Sequence, residues 1–284
     1  MIRKTDRIKE IVCEVYLKKN LAILGSGYDI SRERLFKTDS FEILESGGEP
    51  LLFFSKGLMR DMRTVLFSNI LILNSFAKKA AIDAFGEYLK KHKYQNAMCA
   101  IEDYLTEELD MAMSLNFKTD HTAARMLNKD IRNIPPHETP EDVLIERFVL
   151  GRDENRLADI FNKTFTGLCV PTNLEEINRW ERSEKFYSDL YLFAVRGGQT
   201  IGFIAIELNA ENNTSYLQEI GVLEQFRKKG ISGALMRAGF EAALARGAIN
   251  MGVGALETNI TAKDFFYKWN FRDLYKRIFL KEKT

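Results

Sequence analysis

A chain of 284 residues, 45% apolar and 29% charged, is a soluble globular protein by composition and long enough for two modest domains. Its 41 basic and 40 acidic side chains leave a formal charge of +1, which argues against a general nucleic-acid or membrane-surface role, so a local basic cluster needs a local explanation. Cys13, Cys99 and Cys169 are odd in number, widely separated and without metal-ligand spacing; they read as reduced core thiols of a cytoplasmic protein, and no metal is expected. The N-terminus is charged and helix-like rather than signal-peptide-like. The longest apolar run, residues 65–77, is broken by Ser68, Asn69, Asn74 and Ser75 and is too short to span a bilayer.

In chain order, Ile8, Ile11, Val12, Val15 and Tyr16 recur at helical spacing and predict a first helix ending before Gly25-Ser26-Gly27. No strand leads into that Gly-Ser-Gly, which reads as a flexible turn. Strand-like runs follow at 41–44, 51–54 and 64–73, then a helix over 76–92, a strand over 97–101 and a helix from Thr106. Three of the five prolines fall in residues 134–140, an extended linker where His137 is most simply solvated. Neither His92 nor His121 lies near a motif that would use it as a catalyst.

Beyond the linker, residues 143–150 alternate as a strand and Asp153 begins a helix with Leu157, Ile160, Phe161 and Phe165 on one face. Asn173 and Glu176 form a capping box for a helix carrying Leu174, Ile177 and Trp180. Strands over 190–196 and 200–208 meet at Gly197-Gly198. A polar loop then leads to a central strand through Leu217, Ile220, Val222 and Leu223, a basic turn at Arg227, Lys228, Lys229 and Gly230, and a helix carrying Ile231, Leu235, Ala238 and Ala242. Residues 249–256 form the next strand. At such a turn, backbone N–H groups and a helix N-terminus converge on an anion, three cations add positive charge, and Gly230 admits a close approach.

This strand, turn and helix resemble the acyl-CoA-binding motif of the GCN5-related N-acetyltransferase (GNAT) superfamily, Arg/Gln-x-x-Gly-x-Gly/Ala. Here it stands as Arg227-x-x-Gly230-x-Ser232 with Gly233 directly behind; Ser232 departs from the usual Gly or Ala but is small. The family's downstream pattern, Asn-x-x-Ala-x-x-x-Tyr-x-x-x-Gly-Phe, is met by Asn259, Ala262, Phe266, Asn270 and Phe271. Residues of the first half echo the second: Asn96 with Asn250, Ala100 with Ala255, Glu102 with Glu257, and Asn116-Phe117 with Asn270-Phe271. Where the second half has its basic turn, the first has Leu73-Asn74-Ser75-Phe76.

The resemblance implies an α+β fold of two domains, each a central, mostly antiparallel mixed sheet flanked by helices. Residues 1–133 would be a degenerate copy that does not bind CoA, 134–140 the linker and 141–284 the acyl-CoA-binding domain. It further implies that the central strand splays from the next one, that pantetheine slots between them against main chain at Val222 and Leu223, and that N–H groups there polarise the thioester carbonyl as an oxyanion hole does. Gly221 would suit a bulge. Arg227, Lys228, Lys229, Gly230, Ile231, Ser232 and Gly233 would hold the phosphates, with Asn259 and Phe266 also against the cofactor.

Glu219 stands where several family members carry a general base, and an apolar strand would raise its pKa toward that use; the alternative is a solvent-facing strand position. Phe266 occupies the place of the tyrosine that protonates the departing thiolate. Tyr267 is one residue on, about 100° around a helix, and either takes over that role or points elsewhere. Substrate would approach near residues 169–180 and the domain interface. The implied activity is acetyl-CoA-dependent transfer to a primary amine of a small molecule or peptide in the cytoplasm, with no nucleic-acid or membrane partner and with homodimer formation left open. Two alternatives remain: a non-catalytic acyl-CoA-binding or regulatory protein, favoured by Ser232 and Phe266, and an aminoacyl-tRNA-dependent transferase, against which the phosphate turn argues.

Overall fold

The structure, a computed structural model, describes residues 4–24, 41–59, 63–167, 171–210 and 213–282. The Gly25-Ser26-Gly27 turn and Cys169 lie outside these residues. The chain divides into two compact α+β units: Met1–Arg125 with Leu256–Thr258 and Leu274–Thr284, and Met126–Ala255 with Asn259–Asp273. Among the described residues, no helix is long and apolar enough to cross a membrane.

The first unit contains α1 (Lys4–Leu24), β1 (Phe41–Ser46), β2 (Glu49–Leu58), β3 (Thr64–Ile72), α2 (Lys78–His92), β4 (Asn96–Glu102), α3 (Thr106–Ser114), most of β5 (Phe117–Asn128) and most of β11 (Arg272–Glu282). Its strands lie in the order β1-β2-β3-β4-β11-β5; β3 and β4 run parallel, while β1 with β2, β2 with β3 and β4 with β11 are antiparallel. Phe53, Phe54, Phe67 and Phe85 are fully buried at the centre, with the Phe54 and Phe67 rings edge to face at 5.5 Å. Cys13 and Cys99 are free and buried in this core, and burial pushes the Cys99 thiol up, away from thiolate reactivity. The sequence boundary assigned everything after residue 140 to the second domain, whereas β11 pairs with β4 here, Arg277 opposite Glu102. The Arg277 Nε donates to the buried Glu102 carboxylate at 3.0 Å.

The second unit follows with β6 (Leu144–Arg147), α4 (Glu154–Thr164), α5 (Leu174–Glu181), β7 (Tyr191–Arg196), β8 (Gln199–Asn209), β9 (Thr214–Val222), α6 (Ile231–Ala245), β10 (Asn250–Leu256) and α7 (Ile260–Lys268). The strand order is β10-β9-β8-β7-β6, antiparallel except for β9 beside β10. β6 is shorter than its alternating sequence because Asp153 Oδ2 takes the Val149 N–H at 2.9 Å, turning the chain into α4. Gly197 and Gly198 both adopt positive φ, 55° and 79°, as a tight turn between β7 and β8 demands. Asn173 Oδ1 caps α5 by accepting the Glu176 N–H at 3.0 Å.

Helices cover both faces of this sheet. On one, a Cβ at Gly239 of α6 would lie 2.8 Å from Ile206 Cδ1 and 2.9 Å from Ile204 Cδ1, so the helix sits as close as glycine permits. On the other, Phe161 of α4 packs against Phe203 of β8 with ring centroids 6.0 Å apart.

Candidate functional site

β9 and β10 are paired through four residues only, from Thr214 opposite Asn250 to Leu217 opposite Val253. Beyond that point β9 runs on to Val222 and β10 to Leu256 without pairing each other. A bulge initiates the parting: Leu217 faces Ile206 and Glu219 faces Ala205, so Gln218 is the extra residue. The expected bulge therefore falls at Gln218 rather than Gly221. Gly221 is a glycine for another reason, since a Cβ there would come within 2.3 Å of Thr164 Cγ2 from the end of α4.

Past the bulge, the main chain of β9 offers polar groups to the open side. The Leu223 N–H donates to Ile201 O at 2.9 Å, toward β8. In an antiparallel ladder the N–H and C=O of successive residues alternate sides, so Ile220 turns both groups and Val222 its N–H toward the parted edge, the Val222 C=O being taken by Arg227 Nε. The carbonyl-polarising N–H expected at Leu223 is thus already used; Ile220 and Val222 are the residues whose main chain lines the cleft. Ile220 was missed from sequence, although strand alternation contains the signal.

At the mouth of the cleft, Glu224–Phe226 makes one 3-10 turn, Lys228 adopts φ 59° and Gly230 φ 79°, and α6 begins without a side-chain cap. Ala234 N–H is the first to find a helical partner, Gly230 O at 3.0 Å, which leaves the N–H groups of Ile231, Ser232 and Gly233 at the helix N-terminus to face an anion. The three cations are not equivalent. Arg227 braces the turn, its Nε donating to Val222 O at 3.0 Å and its Nη2 to Thr164 O at 3.4 Å. Lys229 Nζ is held on Gln225 O at 3.0 Å and over the Phe226 ring. Lys228 is exposed.

The linker histidine, expected to be solvated, lies on this turn. His137 Nε2 is 2.8 Å from Gly230 O, and its ring occupies the space a Gly233 side chain would fill. Nothing local in the sequence pairs residues 137 and 233.

Glu219 shares a sheet face with Gly221, the face covered by α4, because their β8 partners Ala205 and Phe203 alternate with Ile204. It is half-buried on that face, beside Phe203 and the rings of Phe161 and Phe165 that pack on it. Thr164, whose methyl touches Gly221, carries a buried hydroxyl with no partner. Phe266 is 4% exposed and packs on Phe271 at 5.6 Å. One position on, the Tyr267 hydroxyl donates to Asp273 Oδ2 at 2.7 Å, and that bond raises its pKa. Asn259 spends its Oδ1 as the cap of α7, on the Ala262 N–H at 3.1 Å, which leaves the amide donors for a ligand.

The first unit repeats the parting strands and fills the gap. β3 and β4 also pair through four residues, Thr64 opposite Asn96 to Phe67 opposite Cys99. Beyond them, the Ile72 N–H at the end of β3 donates to Glu108 Oε1 at 2.9 Å, and Lys19 Nζ meets the same carboxylate. Glu107 beside it accepts from the Ser75 hydroxyl at 2.9 Å, where the second unit has its basic turn. Among the described residues, no group of His, Cys, Asp and Glu side chains is placed to hold a metal.

Residues 155–271 match the model of the acetyltransferase (GNAT) family. Among solved structures, the chain is similar to a GCN5-related N-acetyltransferase from Sphaerobacter thermophilus, with TM-score 0.78 and 16% identity, over 96% of this chain and 91% of that one. It is similar to a tandem GNAT protein from the clavulanic acid biosynthesis pathway, with TM-score 0.69 and 12% identity, over 99% and 96%. A functionally unknown conserved protein from Staphylococcus epidermidis aligns with TM-score 0.55 and 15% identity, over 87% and 95%. At these identities the likeness is one of fold. No curated protein matches the sequence.

Proposed function

Because residues 155–271 match the model of the acetyltransferase (GNAT) family, we propose that the second unit binds acetyl-CoA and transfers the acetyl group to the primary amine of a small molecule or peptide. The observation that carries this reading is the seat at the end of the parted strand β9: left-handed Gly230, exposed Lys228 and the uncapped N-terminus of α6. The cleft suits a pantetheine arm, which has amide groups for the Ile220 and Val222 main chain, and the turn suits its pyrophosphate. A Cβ at Gly230 would strain the left-handed backbone that shapes that seat.

When bound, acetyl-CoA would supply an activated acyl carbonyl. An alkyl ammonium with a pKa of about 10.4 must lose its proton before it is a nucleophile, and Glu219, on the α4 face beside the open strand edge, takes that proton directly or through water. Arg227 holds the strand end against α4. Phe266 excludes water behind the helix and donates nothing. With Tyr267 engaged by Asp273, thiolate departure is unassisted by a protein acid, which a thiol of pKa about 8.5 tolerates. The first unit, with the Glu108 carboxylate on the Ile72 N–H, would bind no CoA.

The test is thiol release from acetyl-CoA by the full chain against a panel of primary amines. Turnover with any of them supports the reading. CoA binding without turnover across the panel favours the second reading, a non-catalytic acyl-CoA-binding protein, to which the Tyr267 to Asp273 bond also points. Absence of CoA binding would sink both and revive a transferase that draws on aminoacyl-tRNA.

A further inference from the structure

We propose that His137, on the linker, is a positioning residue of the phosphate turn that takes up a proton when a pyrophosphate binds there. The inference rests on the CoA reading above and goes beyond it, since it assigns part of the site to residues 134–140.

The contacts are specific. Gly230 O accepts twice, from Ala234 N–H at 3.0 Å within α6 and from His137 Nε2–H at 2.8 Å across 93 residues of chain. The second bond requires the proton on Nε2, which both the Nε2–H tautomer and the imidazolium carry. A Cβ on Gly233 would fall 2.2 Å from His137 Cε1 and 2.4 Å from Nε2, so Gly233 makes room for this ring. The segment is held at further points: Arg237 Nη1 donates to His137 O at 2.8 Å, Pro140 Cγ lies 3.6 Å from where a Gly230 Cβ would be, and the Trp269 ring is 6.0 Å from the imidazole. The imidazole thus packs on the same first helical turn whose N–H groups face the anion, and it fixes the carbonyl of the left-handed residue that shapes the seat.

The charged side chains on the elements against the ring are Arg227, Lys228, Lys229, Arg237 and Glu241 from the turn and α6, Lys268 beside Trp269, and Glu138 on the linker itself. Arg237 is paired with Glu241 at 3.0 Å and Lys229 is tied to Gln225 O, and a pyrophosphate at the start of α6 would add two negative charges near the ring. An anion beside an imidazole favours its charged form. Binding of the anion is therefore coupled to proton uptake, and affinity falls as pH rises.

Dephospho-CoA is the probe, because it keeps the pyrophosphate and lacks the phosphomonoester that titrates near pH 6. Calorimetry on the full chain between about pH 5.5 and about pH 8.5, in buffers of different ionisation enthalpy, should show proton uptake and a Kd that weakens about 5- to 10-fold across the range. His137→Gln, whose amide can still donate to Gly230 O, should bind with a flat profile near the wild-type value at high pH. His137→Ala should also show a flat profile, about 10-fold weaker than His137→Gln, since it loses the bond that sets the turn as well. Identical pH profiles for wild type and His137→Gln overturn the proposal, as does tighter binding by His137→Ala, which would mean the ring stands in the ligand's place. If wild type binds no dephospho-CoA or CoA at all, the CoA reading itself fails; binding without proton uptake defeats this inference alone.

Discussion

Replacing Gly221 by alanine tests the packing that shapes the cleft, because the expected sign opposes the general rule. Glycine to alanine in a strand ordinarily stabilises by about 0.4–1 kcal/mol, through lost freedom of the unfolded chain. Here the new methyl would lie 2.3 Å from Thr164 Cγ2 and 3.2 Å from both Thr164 Cβ and Phe203 Cε1. The first is far inside contact distance, and neither atom can yield easily: Thr164 is 5% exposed at the end of α4, and the Phe203 ring is fully buried among Phe161 and Phe165. Overpacking of this kind costs about 1–3 kcal/mol. In a unit of this size that is a fall in Tm of about 2–4 °C for each kcal/mol. Thr164→Ser removes the offending methyl and should recover most of the loss, so the double variant carries a coupling of about 1–2 kcal/mol. Urea unfolding of the four proteins of the cycle, followed by tryptophan fluorescence, measures it. Gly221→Ala as stable as wild type, or unrescued by Thr164→Ser, would show that α4 does not bear on β9 at this point.

Gly230→Asp should abolish CoA binding by setting a carboxylate and a strained backbone at the phosphate seat; calorimetry showing undiminished affinity, or two CoA sites per wild-type chain, would refute it. Glu219→Gln should slow acyl transfer by about 100-fold while leaving CoA affinity nearly unchanged, and pH–rate profiles identical to wild type would return Glu219 to a structural role. Tyr267→Phe should keep most activity, because its hydroxyl is bound to Asp273; a loss of about 100-fold with CoA binding intact would assign it the acid's role after all.

The parts of this fold that were legible in the sequence are those set by a residue and its near neighbours. Gly230 must adopt positive φ, Asn173 must cap, and Gly197-Gly198 must turn, wherever the rest of the chain goes. What was not legible depends on register or on distant partners. Leu223 and Val222 are equally apolar, and only the pairing of β9 with β8 decides that Leu223 turns its N–H inward and Val222 outward. Gly221 reads as a bulge glycine until Thr164, 57 residues earlier, is brought onto it. His137 reads as a linker residue until Gly233 opens a space for it. β11 has weak alternation and mostly half-buried residues, so its pairing with β4 left no pattern to read before the Arg277 to Glu102 contact was known.

The two units separate what makes a cleft from what makes a site. Both part their strands after four parallel pairs, and both bulge the first of those strands just beyond, at Gln218 in β9 and at Asn69 and Ile70 in β3, which together face Phe54 between the paired residues 53 and 55. The bulge and the parting are therefore properties of the fold and imply no ligand. What differs is what meets the main-chain N–H at the strand's end. In the first unit, that N–H belongs to Ile72 and is taken by Glu108, a carboxylate 1% exposed and neutralised by Lys19. A buried carboxylate so placed occupies the N–H that an incoming phosphate would need. In the second unit, the corresponding turn carries Lys228 and the uncapped start of α6, and the side chain on the Gly230 carbonyl is an imidazole, which can gain charge instead of opposing it. The chemistry thus follows from side chains placed at one strand terminus, not from the sheet that both units share.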